Sequence, residues 1–314
     1  MHSNHASHGS LTKWAWLSIA AAVVTIGLKL GAYALTGSVG LLSDALESLV
    51  NLVAAIIALI ALTIAARPAD ARHHYGHGKI EYFSAGAEGL MIVVAAVLIV
   101  YEALQRLIDP QPLQDIGIGI LITIVATVIN GVIGFLIIRA GRRARSLTLV
   151  ADGKHLMTDV WTSVGVIIGV ALVGLTGWLP LDSLVAFAVA ANIIWTAIGL
   201  IRAAVRGLLD HSMNDEDVAV IKRILNAIMD EYPAGEVSFH ALQTRESGRE
   251  RFVSVHALVP GNWTVAVGHD LVERCESAVR EALPGVHMIS HLEPIEDPRS
   301  QGDSFGGVAV TGSD

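Results

Sequence analysis

Six stretches of the chain are apolar over about 20 residues or more, the length with which a helix crosses a hydrocarbon core of ~30 Å. The predicted spans, in chain order, are 12–35, 39–65, 82–106, 116–139, 147–175 and 181–206. Basic residues collect in the loops after the second, fourth and sixth spans, whereas the other loops have none. By the positive-inside rule, both termini are predicted to be cytoplasmic. The pattern predicts an integral protein of the cell (inner) membrane, with a His-containing tail at 1–11 and a six-helix transmembrane domain at 12–208.

The pattern of polar and apolar positions changes after residue 208. From Asp210 onward the chain has 8 basic against 18 acidic residues, and its apolar positions follow helix or strand periods. The periodic segments are a helix at 214–232, strands at 236–244 and 251–259, a helix at 266–283 and a strand at 286–294. The order αββαβ predicts a small cytoplasmic α+β domain at 209–297. Residues 298–314 are rich in Gly and Ser and are predicted to be disordered.

Composition agrees with a membrane protein. The chain has 53% hydrophobic and 16% charged residues and a mean hydropathy of +0.57, which excludes an ordinary soluble domain. It has one cysteine, Cys275, and 13 histidines. Any metal chemistry must therefore use histidine and carboxylate ligands rather than a cysteine cluster.

Ionisable side chains interrupt two of the apolar spans, although each ionised group costs roughly 2.5–3.5 kcal/mol at the centre of a membrane helix. Glu47 and Asn51 lie four residues apart in the second span, and His155 and Asp159 lie four apart in the fifth. Side chains at this spacing share one helix face. The two spans are three apart and therefore antiparallel, as in the inverted repeats of many transporters. Each pair begins ~12 Å from one membrane face, so we expect the pairs to meet near the midplane.

The four side chains offer a carboxylate, an amide oxygen, an imidazole and a second carboxylate. This set suits a divalent cation of the zinc, iron, cobalt or manganese group. The alternative is that the side chains pair with one another or with helix backbones. Asp44 and Asp152 lie three residues before Glu47 and His155. They are predicted to support the ligands or to line the vestibule.

Three segments resemble the cation diffusion facilitator (cation efflux) family: "GSVGLLSDALESLVNL", "RPADARHHYGHGKIEY" and "ADGKHLMTDVWTSVG". The resemblance covers the chain from about residue 12 to 297. It implies a divalent-metal transporter that works as a homodimer and exchanges metal for protons, with a transport site on Glu47, Asn51, His155 and Asp159. The family's zinc members usually have Asp or His first and Asp second on the second helix. Because this chain has Glu47 and Asn51 there, iron, manganese and cobalt stay open beside zinc.

The resemblance also implies metal sites outside the membrane. Asp70, His73 and His77 lie on a short cytoplasmic loop that binds a further zinc in some members; the alternative is a solvated loop with histidines at its surface. The αββαβ order is similar to the family's metallochaperone-like dimerisation domain, which can bind two zinc ions. The matching candidate ligands are His240, His256, His269, His291 and Glu293. Lys79 and Asp210 match positions that are thought to lock the membrane and cytoplasmic parts together.

A mechanism follows from the competition between metal and protons. Metal ligands must be deprotonated, so a divalent cation that binds the membrane site expels protons. With alternating access, the chain is predicted to export metal as a secondary transporter rather than as an enzyme, with no resident cofactor.

Three other classes of membrane protein would also place metal ligands in such a chain. A membrane-anchored metal sensor or scaffold would keep the cytoplasmic ligands without transport. An intramembrane metallohydrolase would need a general base beside its metal, and the chain has no HExxH motif. A passive channel is disfavoured because these ligands hold a transition metal too tightly for fast conduction. Nothing in the sequence predicts a nucleic-acid partner.

Overall fold

The structure is a computed structural model that describes residues 11–36, 39–108, 118–301 and 310. Within its helices, the side chains of residues 32, 35–47, 118–120, 166, 170, 171, 174 and 301 lie outside the description. The predicted roles of Asp44 and Glu47 therefore fall outside the described residues, as does almost all of the predicted tail at 1–11.

Six long helices come first in the chain. They are α1 (Thr12–Thr36), α2 (Val39–Ala65), α3 (Ile80–Ile108), α4 (Ile118–Ala144), α5 (Leu147–Thr176) and α6 (Pro180–Leu208). Within the described residues, every helix of this set except α5 contains a stretch that is long and apolar enough to cross a membrane. Helix α5 has 30 residues, or about 45 Å at helical rise, and carries the predicted ligands His155 and Asp159.

Small residues let the membrane helices approach one another closely. An added Cβ at Gly153 in α5 would lie 2.9 Å from the carbonyl oxygen of Gly134 in α4, so that only glycine fits there. Arg145 and Ser146 alone join the two helices, and the Ser146 hydroxyl caps α5 by accepting the Leu149 N–H. This tight hairpin brings polar side chains of α4 against those of α5.

The second part of the chain has the order predicted from the sequence. Its elements are α7 (Asp215–Met229), β1 (Ser238–Ser247), β2 (Glu250–Val259), α8 (Val265–Ala282) and β3 (Val286–Pro294). The chain divides into two compact units, one up to Val205 and one from Arg206 onward. The predicted fold class, a helical membrane domain followed by a small α+β domain, is confirmed.

The sheet of the second unit has the order β1-β2-β3. β1 and β2 form an antiparallel hairpin, and α8 connects β2 to β3, which runs parallel to it. The helices bury an apolar core against the sheet, with Ile221 and Leu225 from α7, Leu271 from α8 and Val255 from β2 among its fully buried members. This packing fixes the register of the strands and with it the position of every strand histidine.

Part of the segment that is predicted to be disordered is described by the structure. Pro298–Gln301 form a 3₁₀ turn in which the Ser300 hydroxyl donates to the Pro294 carbonyl at 2.9 Å. Val310 is 2% exposed within the core of the second unit, and its carbonyl accepts a hydrogen bond from Asn226.

Candidate metal centres

The two i, i+4 motifs of the sequence analysis meet inside the membrane unit. Asn51 of α2 lies between His155 and Asp159 of α5: its Oδ1 is 2.6 Å from His155 Nε2, and its Nδ2 donates to Asp159 Oδ2. All three side chains are buried, with at most 8% of their surface exposed. Glu47 precedes Asn51 by one helical turn on α2, and its side chain lies outside the described residues. The structure thus brings together three of the four predicted ligands.

A residue that the sequence analysis missed joins this cluster. Asn130 of α4 is 2% exposed, and its Nδ2 donates to Asp159 Oδ2 at 3.1 Å. Its Oδ1 is buried and has no hydrogen-bond partner among the described residues. The signal in the sequence is one amide in an otherwise apolar span, which has no ligand-type neighbour at i+4 to mark it. We name Asn51, Asn130, His155 and Asp159 the membrane cluster.

The hydrogen bonds of the membrane cluster assign its protons. Because Asn51 Oδ1 only accepts, His155 Nε2 carries the proton and Nδ1 has the lone pair; Nδ1 is buried and has no partner within the described part of the chain. Asp159 Oδ2 accepts two amide N–H groups. The side chains of the cluster are of types that bind divalent cations, namely one imidazole, one carboxylate and two amides.

Other buried polar groups surround the cluster. Asp152 is 1% exposed and accepts a hydrogen bond from Ser18 of α1 at 3.0 Å. Glu88 of α3, which the sequence analysis did not consider, is fully buried and accepts from Ser84 at 3.5 Å. Lys29 of α1 is 5% exposed and donates to Ser48 of α2 at 2.7 Å, one turn before Asn51. The predicted supporting role of Asp152 stays a prediction.

The loop between α2 and α3 assembles its three predicted ligands. Asp70 Oδ1 lies 3.1 Å from His73 Nδ1, and Asp70 Oδ2 lies 3.4 Å from His77 Nε2. The ligand atoms of all three residues lie within 4.8 Å of one another. The backbone N–H of Arg72, with that of His73, donates to Asp70 and lowers the pKa of its carboxyl to about 2. An ionised carboxylate beside two imidazoles on a loop between helices is suited to a divalent cation.

A third cluster follows from the strand register of the second unit. His240 of β1 pairs with His256 of β2, which pairs with His291 of β3, so the three histidines form a row across the sheet. Glu293, two residues further on β3, lies 3.3 Å from His240 Nε2 and 3.4 Å from both His256 Nδ1 and His291 Nε2. The ligand atoms of His240, His256 and Glu293 lie within 4.8 Å of one another.

Two nearby side chains do not join this row in the structure. His269 lies on the exposed side of α8 and is absent from the ligand groups found among the described residues. Burial raises the pKa of the Cys275 thiol to about 12, so the single cysteine stays protonated at neutral pH and offers no thiolate. The third cluster is therefore built from imidazoles and one carboxylate.

The two residues of the predicted interlock lie in different units. Lys79 directly precedes α3, where its carbonyl accepts the Tyr82 N–H at 3.1 Å. Asp210 has a φ of 53° and accepts a hydrogen bond from Arg245 at 3.2 Å. Their interlocking role stays a prediction.

Comparison with known proteins agrees with this arrangement. Residues 15–209 match the model of the cation efflux transmembrane domain, and residues 213–295 match that of the cytoplasmic domain of cation efflux proteins. An "uncharacterized transporter" of Synechocystis is 51% identical over 287 residues, which cover 91% of both chains. The cation-efflux pump FieF of Escherichia fergusonii is 30% identical over 95% of this chain and 98% of its own. FieF of Klebsiella pneumoniae is also 30% identical, over 92% and 94% of the two chains. Since both of its parts match and the matches extend over nearly its whole length, the chain belongs to the cation efflux, or cation diffusion facilitator, family of membrane transporters.

Proposed function

We propose that the chain exports a divalent transition metal from the cytoplasm in exchange for protons, and that the membrane cluster together with Glu47 is the transport site. The observation that carries the proposal is the contact of Asn51 with both His155 and Asp159, three buried side chains from two separate helices. Polar groups inside a membrane unit cost free energy, and a transported cation gives them a function.

Exchange for protons follows from the chemistry of these ligands. A divalent cation needs the lone pair of the His155 imidazole and an ionised Asp159, so protons compete with metal for the same atoms. Protons that arrive from outside then displace metal, and metal that arrives from the cytoplasm displaces protons. Alternating access of the two sides to one site converts this competition into antiport.

The metal is proposed from the ligand set. Zinc is the first candidate because imidazole and carboxylate are both good zinc ligands. The amide oxygens of Asn51 and Asn130 are harder ligands, which keeps iron, cobalt and manganese as alternatives.

The remaining parts of the proposal concern assembly and regulation. The matched cytoplasmic domain supports a homodimer, and the arginine-rich loops support cytoplasmic termini in the inner membrane. The loop cluster at Asp70 and the row of strand histidines would bind cytoplasmic metal and favour the transporting state when metal is abundant.

A second candidate function is a metal sensor without transport. The loop cluster and the histidine row favour it, because both bring ligand atoms together outside the membrane helices. It assigns no function to the membrane cluster, which is why transport is preferred.

Metal uptake into proteoliposomes under an imposed pH gradient tests the proposal, with Zn²⁺, Fe²⁺, Mn²⁺ and Co²⁺ compared. We expect gradient-dependent flux in the native chain, its loss in Asp159→Ala, and native flux in Asp215→Ala, a matched control at an exposed position of α7. Native flux that persists in Asp159→Ala would exclude the membrane cluster as the transport site. No flux for any metal, with binding still measured at the histidine row, would leave the sensor.

A further inference from the structure

Glu88 and Asp152 are buried carboxyl groups of the membrane unit that lie outside the membrane cluster. Glu88 is 0% exposed and Asp152 is 1% exposed. Each has one oxygen bonded to a serine hydroxyl, from Ser84 and Ser18 respectively. The second oxygen of each, Glu88 Oε2 and Asp152 Oδ2, is buried and has no hydrogen-bond partner among the described residues. Unpaired carboxyl oxygens are costly in a membrane interior, so they require a ligand.

The packing of α3 against α5 brings the two groups into one region. The Thr148 hydroxyl donates to the Glu81 carbonyl at 3.2 Å, and the Ser146 hydroxyl donates to the Glu81 carboxylate, so the two helices start side by side. Asp152 lies one turn beyond Thr148, and Glu88 lies two turns beyond Glu81. Ala85, one turn before Glu88, and Ala151, directly before Asp152, belong to one buried cluster, so the two carboxyl groups lie where the two helices pack.

The ligand that these groups fit is a proton rather than a metal ion. Their region offers two carboxyls and two hydroxyls without an imidazole, which is a poor set for a transition metal. Two carboxyls in a region of low dielectric cannot both be ionised without a large penalty, whereas one proton shared between them removes it.

Other buried titratable groups lie on the same helices as the pair and on the neighbouring helices. On α1, Lys29 donates to Ser48, and on α3, Glu81 accepts from Ser146. Helix α5 adds His155 and Asp159 of the membrane cluster, whereas α4 and α6 present no buried titratable side chain in the described part of the chain. On α2, Asp44 and Glu47 lie outside the described residues.

We propose that Glu88 and Asp152 form a proton site that shares one proton and relays protons between the membrane cluster and the cytoplasm. This inference rests on the proposed exchange of metal for protons. Asp152, His155 and Asp159 share one face of α5 at i, i+3 and i+7, and Asp152 is about 4.5 Å closer to the cytoplasmic end than His155. When metal binds, a proton displaced from the transport site, which includes Glu47, passes to the Asp152 carboxylate, and the proton already held by the pair passes to cytoplasmic water. No net charge accumulates on the pair.

Infrared spectroscopy of the purified full chain at neutral pH tests whether the pair holds a proton. A protonated buried carboxyl has a C=O stretching band that is distinct from carboxylate bands and shifts in D₂O. We expect this band in the native chain. We also expect it in the control variant Glu102→Gln, which changes an exposed glutamate on α3, the helix of Glu88. We expect it to be lost in the double variant Glu88→Gln, Asp152→Asn. A band that persists in the double variant overturns the proposal. If the double variant does not fold, Ser18→Ala replaces it, because this variant keeps both carboxyls and removes only the hydrogen bond to Asp152. Ser18→Ala should shift the band, and an unshifted band again overturns the proposal.

Proteoliposome flux tests whether the pair relays protons. We expect the double variant to bind metal at the membrane cluster within about twofold of the native affinity. Its metal uptake driven by the pH gradient should fall at least about tenfold, because proton transfer loses its intermediate acceptor. Native uptake in the double variant, or a loss of one bound metal per chain, contradicts the relay while leaving the transporter intact. Absence of gradient-driven uptake in the native chain would instead refute the exchange on which the relay depends.

Discussion

Replacing Asn51 by Asp tests how the amide controls the membrane cluster. The substitution keeps the shape of the side chain and puts an oxygen where Nδ2 now donates to Asp159 Oδ2. Two ionised carboxylates about 4 Å apart repel each other by about 4 kcal/mol at an effective dielectric constant of 20. That energy corresponds to about three powers of ten in an equilibrium constant. The variant is therefore expected to hold one proton between residues 51 and 159 that the native cluster does not hold.

Binding of a divalent cation must expel this additional proton. We expect the Asn51→Asp variant to release about one proton more per metal bound than the native chain. Its apparent affinity should rise by about one further power of ten per pH unit. Calorimetric titration in buffers of different ionisation enthalpy counts the released protons directly, with Zn²⁺, Fe²⁺, Mn²⁺ and Co²⁺ as probes.

The matched control is Asn192→Asp, which creates the same carboxylate at an exposed position of α6. It should leave the proton count of metal binding unchanged. If Asn51→Asp releases the same number of protons as the native chain, then residue 51 and Asp159 do not act on one metal site. A changed preference among the four metals would show that the amide also sets selectivity.

Two further predictions concern the loop between α2 and α3 and the second unit. Because the pKa of Asp70 is about 2, below the ordinary value of 3.8, its carboxylate stays ionised as the pH falls from 7 to 5. Asp70→Asn should then lower the metal affinity of the loop by the same factor at pH 7 and at pH 5. The affinity is measured in a chain that also carries Asp159→Ala and His256→Ala, which change the other two clusters. A factor that is smaller at pH 5 would contradict this prediction. Arg251→Met should destabilise the second unit by about 3–5 kcal/mol, since the buried Arg251 donates to Asp217 at 2.8 Å and to the Pro284 carbonyl at 2.5 Å. Hydrogen exchange of the strands in the full chain measures this loss, and Arg280→Met, which removes an exposed ion pair at 4.0 Å, should change stability by less than about 1 kcal/mol.

The sequence was sufficient to predict the helices and strands and part of the membrane cluster. Lengths of apolar stretches predict membrane helices because every backbone group in lipid must be satisfied within its own helix. The period of apolar positions likewise predicted the αββαβ order. The same pattern predicted a hairpin turn at residues 245–250. In the structure, β1 continues to Ser247 and β2 begins at Glu250, because the polar residues near the turn also pair across the strands.

Side chains without a spacing signal were missed for a physical reason. Asn130 and Glu88 are single polar residues in apolar spans, and no period of the sequence reveals which way a membrane helix is rotated. Close packing at Gly134 and Gly153 decides that rotation, and it turns Asn130 toward Asp159. His269 shows the converse, because its helix buries Leu271, Cys275 and Val279 on one face and leaves the histidine on the other.

The balance of charges in the membrane cluster bears on how the site can release its cargo. Asn51 and Asn130 both donate to Asp159, so neutral amide groups stabilise the carboxylate. When metal binds, these amides must turn their oxygens toward it and give up their hydrogen bonds to Asp159, which makes the bound state less favourable than the ligand count suggests. A site that stabilises its own unliganded arrangement releases metal more readily, and an exporter needs this property at the outer face. A third carboxylate at position 51 would remove that arrangement, so Asn51→Asp should bind metal more tightly at high pH and yet transport it more slowly.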